Sequence, residues 1–256
     1  MLAPNSYSPT SLAQFTNCPL AFKYAYIDKL PQKPQLAATR GNIVHRALEL
    51  LFHHEPNKRS KNLAFEMLDR SFIEYSSMPE LCELNLNDVE QKQLKHDCES
   101  LIKNYFKLEN PELIIPIGIE IKLEYKNENT LLRGIIDRLE LDDNSNLIVS
   151  DYKTGSTPRT SNEDSKFAGV YLYSYLCHQI FGVLPAKVQL IYLKEPTIIT
   201  ATPTFSKLKG IEIKSTAIHK AVSTACEKND FRANIGPLCH WCSYKEICPA
   251  QGKKHD

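Results

Sequence analysis

The sequence predicts an α/β fold in a single domain, 1–256, built as a small mixed β-sheet flanked by helices. Three observations predict it. Up to Pro116 the apolar residues recur at helical spacing, and after it the texture changes to three strand-like runs in succession. A helical stretch then separates these from two more strand-like runs, and a last long amphipathic stretch reads as helix. The length suits one large domain.

In order along the chain, "SYSPTSLAQFTNCPLAFKYAYI" predicts a capped short helix from about Ser8, a break at Cys18-Pro19, and more helix beyond. From Thr39, the apolar residues Ile43, Val44, Ala47, Leu48 and Leu51 fall on one helical face. Two charged amphipathic helices are expected over 60–76 and 88–108. "IGIEIKLEY", "TLLRGIIDRLEL" and "NLIVSDYK", the last two joined by a turn at "DDNSN", predict an antiparallel meander. A helix over 165–181, strands at "AKVQLIYLK" and near "TIITATPT", and a helix over 206–229 complete the pattern. The expected organisation is an N-terminal segment (1–38), a helical part (39–115), a sheet-bearing core (116–230) and a cysteine-rich tail (231–256).

Composition narrows the function classes. With 9 glycines and neither a GxGxxG nor a GxxxxGK[ST] string, the chain has no glycine-rich phosphate cradle. A net charge of +1 neither demands nor excludes nucleic acid, because a basic groove can sit on a neutral protein. The first residues lack a signal peptide's basic start and apolar core, and no apolar run approaches the ~20 residues of a membrane span. A cytoplasmic protein is expected, with no membrane partner. Its 8 cysteines are then unsuited to a disulfide framework.

In "VSDYKTGSTP" a strand ends on Asp151, Tyr152 and Lys153. Strand alternation points Asp151 and Lys153 one way and Tyr152 the other. Asp137, in "GIIDR", is on the neighbouring strand and can approach Asp151. Two carboxylates this close repel unless a cation lies between them. Mg²⁺ or Mn²⁺ suits such oxygen ligands, and a lysine beside the ion can orient or deprotonate water and stabilise a pentacovalent phosphate. His45 could face the sheet as a ligand, and Glu120 could face the same layer. A plainer reading stays open on these residues alone: Asp137, Arg138, Asp151 and Lys153 as ordinary paired strand-end charges.

Taken together, "GNIVHRALE", "IEIKL", "GIIDR" and "DYKTG" resemble the RecB-like branch of the PD-(D/E)XK nuclease superfamily, whose core is restriction-endonuclease-like. The resemblance implies that His45, Asp137, Asp151 and the Tyr152 backbone carbonyl hold the metal. It places Glu120 in the same acidic cluster and makes Lys153 the catalytic lysine. Two departures stand out. The proline that names the family is Ile136 here, as is usual in this branch. A Q-x-x-x-Y motif on the next helix keeps its tyrosine as Tyr173 but has Gly169 at the glutamine position.

The tail holds Cys239, Cys242 and Cys248, with Cys18 far upstream, and both Cys18 and Cys248 precede proline. A zinc ribbon would supply two close pairs instead, whereas iron–sulfur clusters are held by four thiolates and a Cys-Pro step is familiar there. The layout resembles the iron–sulfur staple of AddB-like nucleases, implying a 4Fe-4S cluster tying the N- and C-terminal segments together. Zinc on Cys239, Cys242 and Cys248 with His240 or Cys18 is the competing reading. Cys82, Cys98, Cys177 and Cys226 fall on predicted helices and read as small buried residues.

The expected activity is metal-dependent hydrolysis of DNA, single-stranded or at ends, in repair or recombination, with Tyr173, Arg40, Lys166 and Arg159 as candidate substrate contacts. No helicase motor motif is present, so unwinding would fall to a helicase partner. The competing reading is a nuclease-fold module that grips DNA, or a helicase, without cutting.

Overall fold

The computed structural model describes residues 1–127, 130–157 and 163–250, with backbone alone for 163–166. The chain opens with β1 (Ser6–Tyr7), α1 (Pro9–Asn17) and α2 (Pro19–Phe22), followed by a π-helical turn over Lys23–Ile27. Ser8 caps α1 reciprocally: its hydroxyl accepts the Ser11 N–H at 3.2 Å, and the Ser11 hydroxyl accepts the Ser8 N–H at 2.8 Å. The extended backbone of Cys18 breaks the helix where Pro19 follows, as the sequence predicts.

Next come α3 (Leu36–Phe52), α4 (Lys61–Tyr75), the short α5 (Pro79–Cys82) and α6 (Asp88–Leu108). Helix α3 begins one turn earlier than its apolar spacing indicated. Asn87 and Glu90 form a capping box on α6. The sheet is built from β2 (Pro116–Asn127), β3 (Thr130–Leu141), β4 (Leu147–Lys153), β5 (Lys187–Tyr192) and β6 (Thr197–Ala201). Between β4 and β5 runs α7 (Glu163–Phe181), and α8 (Phe205–Lys228) follows β6. Asn229 ends α8 in the left-handed region at φ 50°.

The predicted meander is present: β2 and β4 both pair antiparallel with β3, the latter through Leu139 opposite Val149. Helix α7 then crosses over so that β5 lies parallel to β4, and β6 returns antiparallel. The short β1 adds parallel to the start of β3, an element the sequence reading missed because two residues carry no periodicity. The result is a six-stranded mixed sheet.

Each face of the sheet carries its own core. Leu139, Val149, Val188 and Leu190 pack with α7, α8, Tyr7 and Phe22. Tyr152, Ile191 and Leu193 pack with α3, α4 and α6 on the other side. The buried stripe Ile43, Val44, Ala47, Leu48 and Leu51 holds α3 in place, each large side chain contributing about 1.5–3 kcal/mol by burial. Fixing that stripe inward sets the direction in which His45 projects. Among the described residues, no helix is long and apolar enough to cross a membrane.

Candidate metal centre and cysteine-lined cavity

His45 on α3, Glu120 on β2 and Asp137 on β3 converge: one potential ligand atom from each lies within 4.8 Å of the others. His45 Nδ1 stands 3.4 Å from Asp137 Oδ2. The same Asp137 oxygen accepts the Tyr152 backbone N–H at 2.6 Å, which ties the β3 carboxylate to β4. Glu120 lies within the unbroken β2, between Ile119 opposite Arg138 and Ile121 opposite Ile136, which sets it across from Asp137 as alternation expects. Its φ of 47° lies in the left-handed region, where a glutamate is strained.

Asp151 and Lys153 point to the same face, as alternation requires, and pair at 2.5 Å. Tyr152 turns the other way into the helical core. Asp151 is buried, and burial raises its proton affinity against the pull of Lys153. Burial opposes the charge on Lys153, but Asp151 outweighs it and holds the ammonium form more firmly than in water. Lys153 is thus poised as a hydrogen-bond donor and a positive charge.

The acidic cluster carries strong mutual repulsion. Burial first, and then the Asp137 carboxylate, pushes Glu120 up to about 7. Burial disfavours charge on His45, yet Asp137 overrides it, helped by Asp151 and Glu120, and His45 rises to about 9. A site that recruits a proton onto its imidazole is short of positive charge. Its donor set of imidazole and carboxylates is one that Mg²⁺ or Mn²⁺ fits.

Tyr173 on α7 comes to the same place. Its hydroxyl proton is held tightly by burial and by the neighbouring charges of Asp151, Asp137 and Glu120. Its ring lies over Gly134 of β3, where a Cβ would stand 2.6 Å from a ring carbon, so only glycine admits this approach. Gly169, one turn earlier, faces α1, with its Cβ position 3.6 Å from Pro9. Gly41 lets α3 approach the turn after β4 in the same way, 3.0 Å from Thr154 Oγ1. Arg40 is turned to Asp97 of α6 at 3.4 Å. Arg159 and the Lys166 side chain lie outside the described residues.

Behind the site is a charged network that the sequence reading did not assign. Arg138, with 0% of its surface exposed, donates to Glu109 at 2.8 and 2.7 Å, to Glu140 at 3.2 Å and to the Tyr152 hydroxyl at 2.8 Å. It points away from Asp137, into the side of the sheet that α3 and α6 cover. Alternation along β3 could have shown the direction and the same-face Glu140, but not the partners that come from the end of α6 and from β4.

Cys18, Cys239, Cys242 and Cys248 line one cavity of about 580 Å³ with Tyr24, Trp241 and Tyr244. The Asn234 N–H points at Cys18 Sγ from 3.5 Å and the Gly236 N–H at Cys239 Sγ from 3.3 Å. Gln35, at the start of α3, donates to Ser243 Oγ at 3.3 Å, which joins this segment to the helix that carries His45. Of the remaining cysteines, Cys98, Cys177 and Cys226 are buried as expected. Cys82 is not: it ends the short α5 on the surface, where its thiol donates to the Ser76 carbonyl at 2.9 Å.

Residues 6–249 match the family model of the PD-(D/E)XK nuclease superfamily. Among solved structures, one named "Putative exonuclease" from Eubacterium rectale is similar at a TM-score of 0.60 and 11% identity, covering 98% of this chain and 91% of its own. That likeness is one of fold. A second, SSO0001, is similar at a TM-score of 0.43 and 15% identity over 98% of this chain and 89% of its own. Curated proteins give no match.

Proposed function

The chain belongs to the PD-(D/E)XK nuclease superfamily, and from that premise we propose that it is a divalent-metal-dependent deoxyribonuclease of the RecB-like branch, acting on single-stranded DNA or DNA ends in repair or recombination. The observation that carries the proposal is the convergence of His45, Glu120 and Asp137 beside the Asp151–Lys153 pair. Asp151 and the Tyr152 carbonyl complete the ligand set. A bound Mg²⁺ or Mn²⁺ supplies charge to a phosphate oxygen and lowers the pKa of water. The protein's own part is positional. Asp137 is held by the Tyr152 N–H, and Lys153 offers its ammonium protons to a phosphate oxygen or to the attacking water. Tyr173 borders the acidic cluster as a substrate contact, and Arg40 and Lys166 remain candidates for further contacts.

The cysteine-lined cavity is read as the seat of a 4Fe-4S cluster. Four thiolates spaced around one cavity suit a bulky inorganic core, whereas zinc draws four sulfurs onto a single ion at about 2.3 Å each. The N–H groups aimed at Cys18 and Cys239 are of the kind that tune such clusters. The role proposed for the cluster is structural, tying the N-terminal helices to the tail.

The test uses anaerobically purified protein on end-labelled single-stranded DNA with Mg²⁺ or Mn²⁺, beside Lys153→Ala. Cleavage that requires the metal and falls by about 10²–10³-fold in the variant supports the proposal. If both proteins bind the strand equally and neither cuts it, the hydrolytic reading fails. Gly169, where the branch has glutamine, would then favour a module that only grips DNA.

A further inference from the structure

We propose that Tyr152 is a positioning residue for the candidate ligands, its side chain, anchored by Arg138, orienting His45 while its main chain holds Asp137; this rests on reading those residues as a metal centre. Tyr152 touches both of them in different ways. Its backbone N–H donates to Asp137 Oδ2 at 2.6 Å. Its ring meets the His45 imidazole edge-to-face, with centroids 5.9 Å apart and planes at 90°. One residue therefore sets the carboxylate through its main chain and the imidazole through its side chain.

The ring has little freedom of its own. Tyr105 of α6 holds it in a second edge-to-face contact, 5.8 Å away at 89°. Its hydroxyl is fixed by Arg138 Nη1 at 2.8 Å. Arg138 is in turn clamped by Glu109 at the end of α6 and by Glu140 on β3. The path from Glu109 through Arg138 and Tyr152 to His45 links α6, β3, β4 and α3 across the back of the sheet. An aliphatic side chain could fill the volume under His45, but it has neither a ring face nor a hydroxyl with which to fix an angle. Groups that orient a metal ligand commonly matter about 10–100-fold in metal affinity.

The experiment measures Mn²⁺ binding without DNA, by calorimetry and by the electron paramagnetic resonance signal of the free ion. It compares wild type, Tyr152→Phe, Tyr152→Leu, His45→Ala and Leu208→Ala, the last a cavity variant in the core under α8. Metal-free melting temperatures are recorded for all, and binding is measured where each is folded. Tyr152→Leu is expected to bind Mn²⁺ about 10–100-fold more weakly, with Tyr152→Phe between it and wild type. Leu208→Ala melts lower yet binds as wild type. Tight binding by wild type with equal binding by Tyr152→Leu overturns the inference alone, as does an equal loss in Leu208→Ala. If wild type does not bind Mn²⁺, or His45→Ala binds it undiminished, the metal-centre reading fails and takes the inference with it.

Discussion

Replacing Arg138 with methionine removes the guanidinium but keeps most of its length, so the loss reports on charge and hydrogen bonding more than on volume. In the native protein Arg138 is fully buried and bonds Glu109, Glu140 and the Tyr152 hydroxyl. The side chains of both glutamates are only 11% exposed, so neither can recover full hydration once its partner has gone. Removing one member of a buried pair strands the other charge, at a cost of about 3–5 kcal/mol. For a domain of this size, that lowers the melting temperature by about 6–20 °C. The assay is urea unfolding followed by circular dichroism, with a thermal melt beside it. Arg138→Met/Glu109→Gln should recover part of the loss, because it neutralises one of the stranded carboxylates. A loss under about 1 kcal/mol would refute the reasoning, since it would rank this network with solvent-exposed ion pairs.

Three further predictions follow from other parts of the structure. Burial opposes charge on His45 but Asp137 carries it to about 9, and burial carries Glu120 to about 7, so both hold protons that a metal must displace. Mn²⁺ affinity should therefore rise with pH from 6 to 9 and release about one proton at pH 7.5, read by calorimetry in buffers of different ionisation enthalpy; pH-independent binding would contradict this. Gly134→Ala drives a methyl into the Tyr173 ring and should cost about 1–3 kcal/mol of stability in a denaturant melt. Adding Tyr173→Leu should relieve that cost and Tyr173→Phe should not; equal relief by both would mean the ring is not what the methyl meets. Anaerobically isolated protein should be brown and should lose its colour in Cys248→Ser. Trp241, the single tryptophan, is 73% exposed at the rim of the cavity, and its emission should brighten when iron is removed. A colourless protein that releases zinc to a chelator would favour zinc instead.

The sequence by itself determined the element order, because apolar spacing is local: the helices, the meander and the later strands stand close to where periodicity put them. It also determined that Asp151 and Lys153 share a face, since strand alternation requires it. Only tertiary structure decided the rest. Glu120 meets His45 and Asp137 with a left-handed backbone, a strain that no sequence pattern announces. Arg138, adjacent to Asp137 in sequence, lies on the opposite side of the sheet and finds partners in Glu109, which caps the end of α6, and in Tyr152 of β4, a pairing that depends on how the helices cover that side. Cys18 meets cysteines more than two hundred positions away because α2 and the tail close the same cavity. Cys82 escapes burial because the four-residue α5 that carries it ends at the surface. Periodicity specifies which way a side chain leaves its own element; what waits there is settled by packing between elements, where long-range contacts outweigh local preference.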